Sequence, residues 1–94
     1  MYLTIFKYKI VILNITMKNL SLYEKAFIDT FGIKSNQLKK LKYQDVQSWD
    51  SVGHMNLIMV LEESFKIEMD IDDITDLSSF NKGKAILKKY KVKI

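Results

Sequence analysis

The spacing of the apolar residues constrains this chain most, because wherever it is regular it is helical. Leu20, Tyr23, Phe27 and Phe31 recur every three or four residues, the period of one helix face. Ser21-Leu22-Tyr23-Glu24 has the form of a capping box, and Gly32 supplies a left-handed stop. A first helix is predicted over about residues 21–31. Residues 33–49 hold no sustained period and read as a long loop, with a turn near Ser35–Leu41. Loops of that length in small domains tend to carry function.

A second helix is predicted from Asp50-Ser51 to about Phe65. At 100° per residue Leu57, Ile58, Leu61 and Phe65 gather on one side, the expected core face. Val52, Met55 and Met59 gather on the other, joined by Glu62, Glu63 and Lys66. A second apolar stripe ending in acids suits a partner-binding face; burial of both stripes is the plainer alternative. Residues 66–71 connect to a short third helix capped by Asp72 or Asp73 and carrying Ile74 and Leu77. Ser78 or Ser79 caps a fourth, with Phe80, Ala85, Ile86, Leu87 and Tyr90 inward. Lys88, Lys89 and Lys91 lie where a helix dipole favours cations. The expected fold is all-α: a small four-helix bundle of three longer helices and one short third helix, with a long loop between helices 1 and 2.

Composition removes most enzyme chemistries. The 94 residues are 48% hydrophobic and 28% charged, as in a folded single domain. With no cysteine there is no disulfide, zinc–thiolate site or cysteine nucleophile, and one histidine cannot build a multi-histidine metal site. Three scattered glycines form no phosphate cradle. The net charge of +4 conceals segregation: residues 1–44 carry +6, residues 45–76 carry −8 and residues 77–94 carry +6. All fifteen cations are Lys, so bidentate guanine readout by Arg is absent and no nucleic-acid partner is expected. Binding of the Lys-rich ends to an anionic surface stays open. The acids at positions 68, 70, 72, 73 and 76 lack the spacing of an EF-hand and read as a solvated acidic face; no metal site is expected.

Residues 1–16, MYLTIFKYKIVILNIT, hold eleven apolar or aromatic residues. They are too few to span a bilayer, which takes about 20, and no small-residue cleavage site follows. Their β-branched content favours an extended strand or a loose tail. Met17 opens a fresh domain start, so residues 1–16 are expected to be an extension or a mis-called start, and 17–94 the functional domain.

The run Trp49-Asp50-Ser51-Val52-Gly53-His54-Met55, leading into Leu57-Ile58-Met59-Val60-Leu61-Glu62-Glu63-Ser64-Phe65, resembles the Asp-Ser-Leu motif and second helix of the acyl carrier proteins. The likeness continues through Glu68-Met69-Asp70-Ile71-Asp72-Asp73-Ile74 to Lys82-Gly83-Lys84-Ala85-Ile86-Leu87, and covers residues 17–94. It implies an acyl-carrier-like bundle in which Ser51 receives 4′-phosphopantetheine from coenzyme A and Asp50 helps present it. The thioester-forming thiol then belongs to the cofactor, which suits a cysteine-free chain. It also implies docking of partner enzymes on Val52, Met55, Met59, Glu62 and Glu63. An acyl chain would shelter among Phe27, Leu57, Ile58, Leu61, Met69, Ile74 and Leu77, unless that core is simply filled. Implied partners are a phosphopantetheinyl transferase, a loading ligase or acyltransferase, and condensing or acyl-transferring enzymes. The implied setting is a cytoplasmic monomer with no catalysis of its own, serving lipid or polyketide biosynthesis.

Three departures point to a specialised pathway. Gly53 and Asn56 stand where fatty-acid carriers usually place acids, Val52 replaces the common Leu, and residues 17–94 carry +2 where such carriers are acidic. A Ser51–His54 hydrolase would need an oxyanion hole and an orienting carboxylate, and Asp50 is badly placed for the latter. The alternatives are an aminoacyl or peptidyl carrier, and an unmodified helical adaptor that binds a basic partner through helix 2.

Overall fold

The computed structural model describes residues 2–94, with side chains from Lys7 onward. Four α-helices follow in order: α1 (Tyr2–Phe31), α2 (Ser51–Phe65), α3 (Ile71–Asp76) and α4 (Phe80–Lys89). Among the described residues there is no strand, and the chain forms a small all-helical bundle. A 3₁₀ turn at Ser35–Gln37 falls inside the long loop between α1 and α2.

The first sixteen residues correct the sequence reading. From Tyr2 they are helical and run without a break into the expected first helix. Ser21 is therefore mid-helix and exposed, and its capping-box pattern starts nothing. The reason is energetic. β-branched residues weaken a helix by only tenths of a kcal/mol each, whereas extending a formed helix adds one hydrogen bond per residue. No glycine or proline interrupts residues 2–31. The stop comes at Gly32, whose φ is +66° and whose N–H donates to the Ile28 carbonyl at 2.8 Å.

Phe27 sits at the middle of the core. Its ring meets Tyr23, Phe31, Trp49 and Phe80 at centroid distances between 4.9 and 6.0 Å, all edge-on. Leu57, Ile58 and Leu61 come from α2, Leu77 from the α3–α4 connection, and Ile86 and Leu87 from α4. Ala85, expected inward, is exposed, and Gly83 takes the inward place. A Cβ at Gly83 would overlap the Tyr23 hydroxyl. That hydroxyl donates to the Phe80 carbonyl at 2.7 Å, and its burial holds the phenol far above its ordinary range.

The aperiodic loop is well anchored. Ile33, Leu38, Leu41 and Trp49 are buried, and Trp49 stacks on Phe31 at 4.9 Å. Tyr43 N–H donates to the Ser78 carbonyl (2.9 Å) and Phe80 N–H to the Leu41 carbonyl (3.0 Å), so the loop bridges to the start of α4. Ser48 Oγ donates to the Phe31 carbonyl at 2.9 Å.

Caps set the remaining boundaries. Asp50 caps α2, and Ser79 Oγ accepts from Lys82 N–H at 2.9 Å to cap α4. The residue before α3 is Asp70, not Asp72 or Asp73. Asp73 departs further from the expected solvated acidic face, being only 6% exposed. Its carboxylate accepts from Lys89 Nζ (2.6 Å) and from Tyr90 Oη (2.6 Å), while Tyr90 Oη accepts from Asp70 N–H (2.8 Å). This clasp ties α3 to the end of α4.

Candidate functional site

The site is built at the N-terminus of α2. Asp50 is extended (φ −103°, ψ −168°), and its Oδ1 accepts from Gly53 N–H at 2.8 Å. Its carbonyl accepts from His54 N–H at 2.8 Å. With Asp50 as cap, Ser51 becomes the first helical residue, exposed, and its hydroxyl bonds to no described residue. The Ser51 and Val52 amides likewise have no acceptor among the described residues. Two orphan N–H groups and the positive end of the helix dipole thus surround a reachable hydroxyl, a setting that favours an anion.

Gly53 explains how the loop and α2 come so close. A Cβ there would overlap the Ser48 carbonyl oxygen. The glycine that departs from the fatty-acid pattern therefore lets residues 48–50 lie against the first turn of α2, which helps fix Ser51.

Beside Ser51 lies a groove of about 390 Å³, lined by Tyr43, His54, Met55, Ile74, Thr75, Leu77 and Ser78. His54 forms part of its wall and is locked from both sides. Trp49 Nε1–H donates to His54 Nδ1 at 3.0 Å, and His54 Nε2 lies 2.7 Å from the Ile74 carbonyl. An indole N–H only donates and a carbonyl only accepts, which assigns the neutral ring with its proton on Nε2. Neither nitrogen is free to take a proton from Ser51. His54 instead connects the loop, α2 and α3, its ring lying edge to edge with that of Trp49, 11° from coplanar and 6.2 Å between centroids.

The expected partner stripe is on the surface. Val52, Met55 and Met59 are 69%, 48% and 63% exposed, and Glu63 is exposed beside them. Glu62 divides its role: it is half-buried, and its Oε2 accepts from Met69 N–H at 2.9 Å, holding the α2–α3 connection. Of the residues expected to shelter a chain, Phe27, Leu57, Ile58, Leu61, Met69 and Leu77 are packed in the core, and Ile74 is half-buried. Only Ile74 and Leu77 among these seven line the groove at Ser51. The others are brought together by the core itself.

Sequence reasoning missed Trp49 as an anchor of the site, because it lies in the aperiodic loop. The signal was present: a buried indole needs an acceptor, and His54 stands five residues beyond, in the first turn of α2. No group of three or more His, Asp or Glu able to hold a metal ion occurs among the described residues. Compared with models of known protein families, with characterised proteins and with solved structures, the chain matches none.

Proposed function

We propose that this chain is an acyl carrier protein, modified at Ser51 with 4′-phosphopantetheine and serving a specialised biosynthetic pathway. The observation that carries the proposal is the exposed, unbonded Ser51 hydroxyl on a helix N-terminus fixed by Asp50 and Gly53. The residues present suit the group. Ser51 Oγ would form the phosphodiester with release of 3′,5′-ADP from coenzyme A, its proton passing to the transferase. The Ser51 and Val52 amides would face the phosphate, and the groove walled by His54, Met55 and Ile74 lies directly alongside. When attached, the group supplies the thiol for thioester chemistry that the cysteine-free chain lacks. Met55, Met59 and Val52 would meet partner enzymes through an apolar patch rimmed by Glu63. Such a contact suits brief docking, since charge at the rim speeds encounter more than it holds the complex.

The exposed methionine stripe also favours a second reading, an unmodified adaptor for a basic partner. Intact mass after incubation with coenzyme A and a broad-specificity phosphopantetheinyl transferase separates the two. A single phosphopantetheine adduct, absent in Ser51→Ala, is expected of the carrier. A folded protein that several transferases leave unmodified would be the adaptor.

A further inference from the structure

The N-terminal half of α1 lies outside the bundle. From Lys7 onward, the first buried residue of this helix is Tyr23; Tyr8, Val11, Leu13 and Met17 are 65%, 51%, 58% and 60% exposed. At 100° per residue Tyr8, Val11, Ile12 and Ile15 form one apolar arc, and Ile10, Leu13 and Met17 a second. Lys7 and Lys18 fall on one seam between the arcs, and Lys9 on the other. No acid precedes Glu24.

The other basic end of the chain folds back to the base of this arm. Asn19 Nδ2 donates to the Lys93 carbonyl at 2.9 Å. A groove of about 640 Å³ runs between Ile12 and Thr16 of α1 and the segment holding Lys88, Lys91 and Lys93. Two lysine-rich segments from opposite ends of the sequence therefore meet around one exposed apolar helix.

We propose that this arm, with the lysines at its base, is a docking surface for an anionic phospholipid membrane. Apolar arcs on two sides exceed what isolated surface residues explain, and lysines on both seams can bury their stems while their ammonium groups reach lipid phosphates. Charge selects the occupant. Two arms laid side by side would set lysines against lysines with no carboxylate in either arm. A nucleic acid would satisfy the lysines and leave both apolar arcs in water. Among the described residues no helix is long and apolar enough to cross a membrane, so the contact is with one face. Nothing in this proposal depends on Ser51.

The test is co-sedimentation of the full chain with vesicles of phosphatidylcholine alone and of a mixture with phosphatidylglycerol, roughly two to one. Partition into the mixed vesicles should exceed that into the neutral ones at least ~30-fold. Lys7→Gln with Lys9→Gln should lower it about 30-fold, roughly fivefold per charge. Of the two pairs Val11→Ser with Ile15→Ser and Leu13→Ser with Met17→Ser, the one on the arc that enters the lipid should weaken it more than ~10-fold, with the circular dichroism melt unchanged. Absence of partition into either vesicle would overturn the proposal. So would binding that both serine variants leave intact and that duplex DNA reproduces. A dimer dissolved by the same serine substitutions, without vesicle binding by the parent, would give the arm to a second copy and equally overturn it.

Discussion

Gly53 and Ser51 show how two small residues divide one task. Ser51 keeps its hydroxyl in solvent because Asp50 takes the capping role that a serine at a helix start often fills. Gly53 keeps the preceding loop against the helix because no Cβ intervenes. Gly53→Ala must push back the Ser48 backbone, and should destabilise the fold by about 1–3 kcal/mol in urea titrations. Asn56→Ala, at an exposed position of the same helix, should stay within ~0.5 kcal/mol of the parent. If Gly53→Ala also slows modification of Ser51 at temperatures where it remains folded, the close packing positions the hydroxyl as well as stabilising the helix.

The elements differ in how readable they were. α2 and α4 were legible because Asp50 and Ser79 are strong caps and the apolar positions keep helical period to the end of each. The start of α1 was not, since residue preferences there are weak beside the gain from continuing a helix already formed. Ser51 was legible at the start of α2, whereas the Trp49–His54–Ile74 chain behind it was not, because it depends on where an aperiodic loop folds back. The Asp73–Lys89–Tyr90 clasp joins residues sixteen and seventeen positions apart, beyond any local pattern. It predicts how the bundle responds to pH. The Lys89 ammonium, then the Tyr90 hydroxyl, hold the Asp73 carboxyl below its ordinary 3.8. In acid the unfolded chain therefore binds more protons than the folded one, so the clasp's contribution is complete above about pH 4 and is lost as pH falls through the folded value. Lys89 and Tyr90 are both raised, from 10.5 and 10.0, each first by its hydrogen bond to Asp73. Their contribution is complete below about pH 10 and is lost as pH rises through the folded values. Asp73→Asn should flatten the acid limb of a plot of urea midpoint against pH, and Tyr90→Phe the alkaline limb.

At the scale of the whole molecule the chain divides into a bundle that holds the core and a helical arm in which no residue described from Lys7 to Leu22 is buried. A chain beginning at Met17 should keep the bundle, with a thermal midpoint within about 4–8 °C of the parent, as a loss of about 1 kcal/mol would give, because the described core residues all lie from Tyr23 onward. On the proposed carrier reading, the same chain should accept phosphopantetheine at Ser51 as readily as the parent in an intact-mass assay. Arm and bundle nevertheless share one uninterrupted helix, and the molecule extends 52 Å along its longest axis against 29 and 19 Å across. A helix of 30 residues is itself about 45 Å long, so α1 lies close to that axis. The particle therefore tumbles as a rod, and rotation about its length is faster than rotation end over end. Amide N–H vectors in α1 point along the slow direction, and their ratio of transverse to longitudinal ¹⁵N relaxation rates should exceed that of amides lying across the axis. A swivel between arm and bundle would erase that excess in the arm alone, which makes relaxation anisotropy a direct measure of whether the two ends of the protein turn as one body.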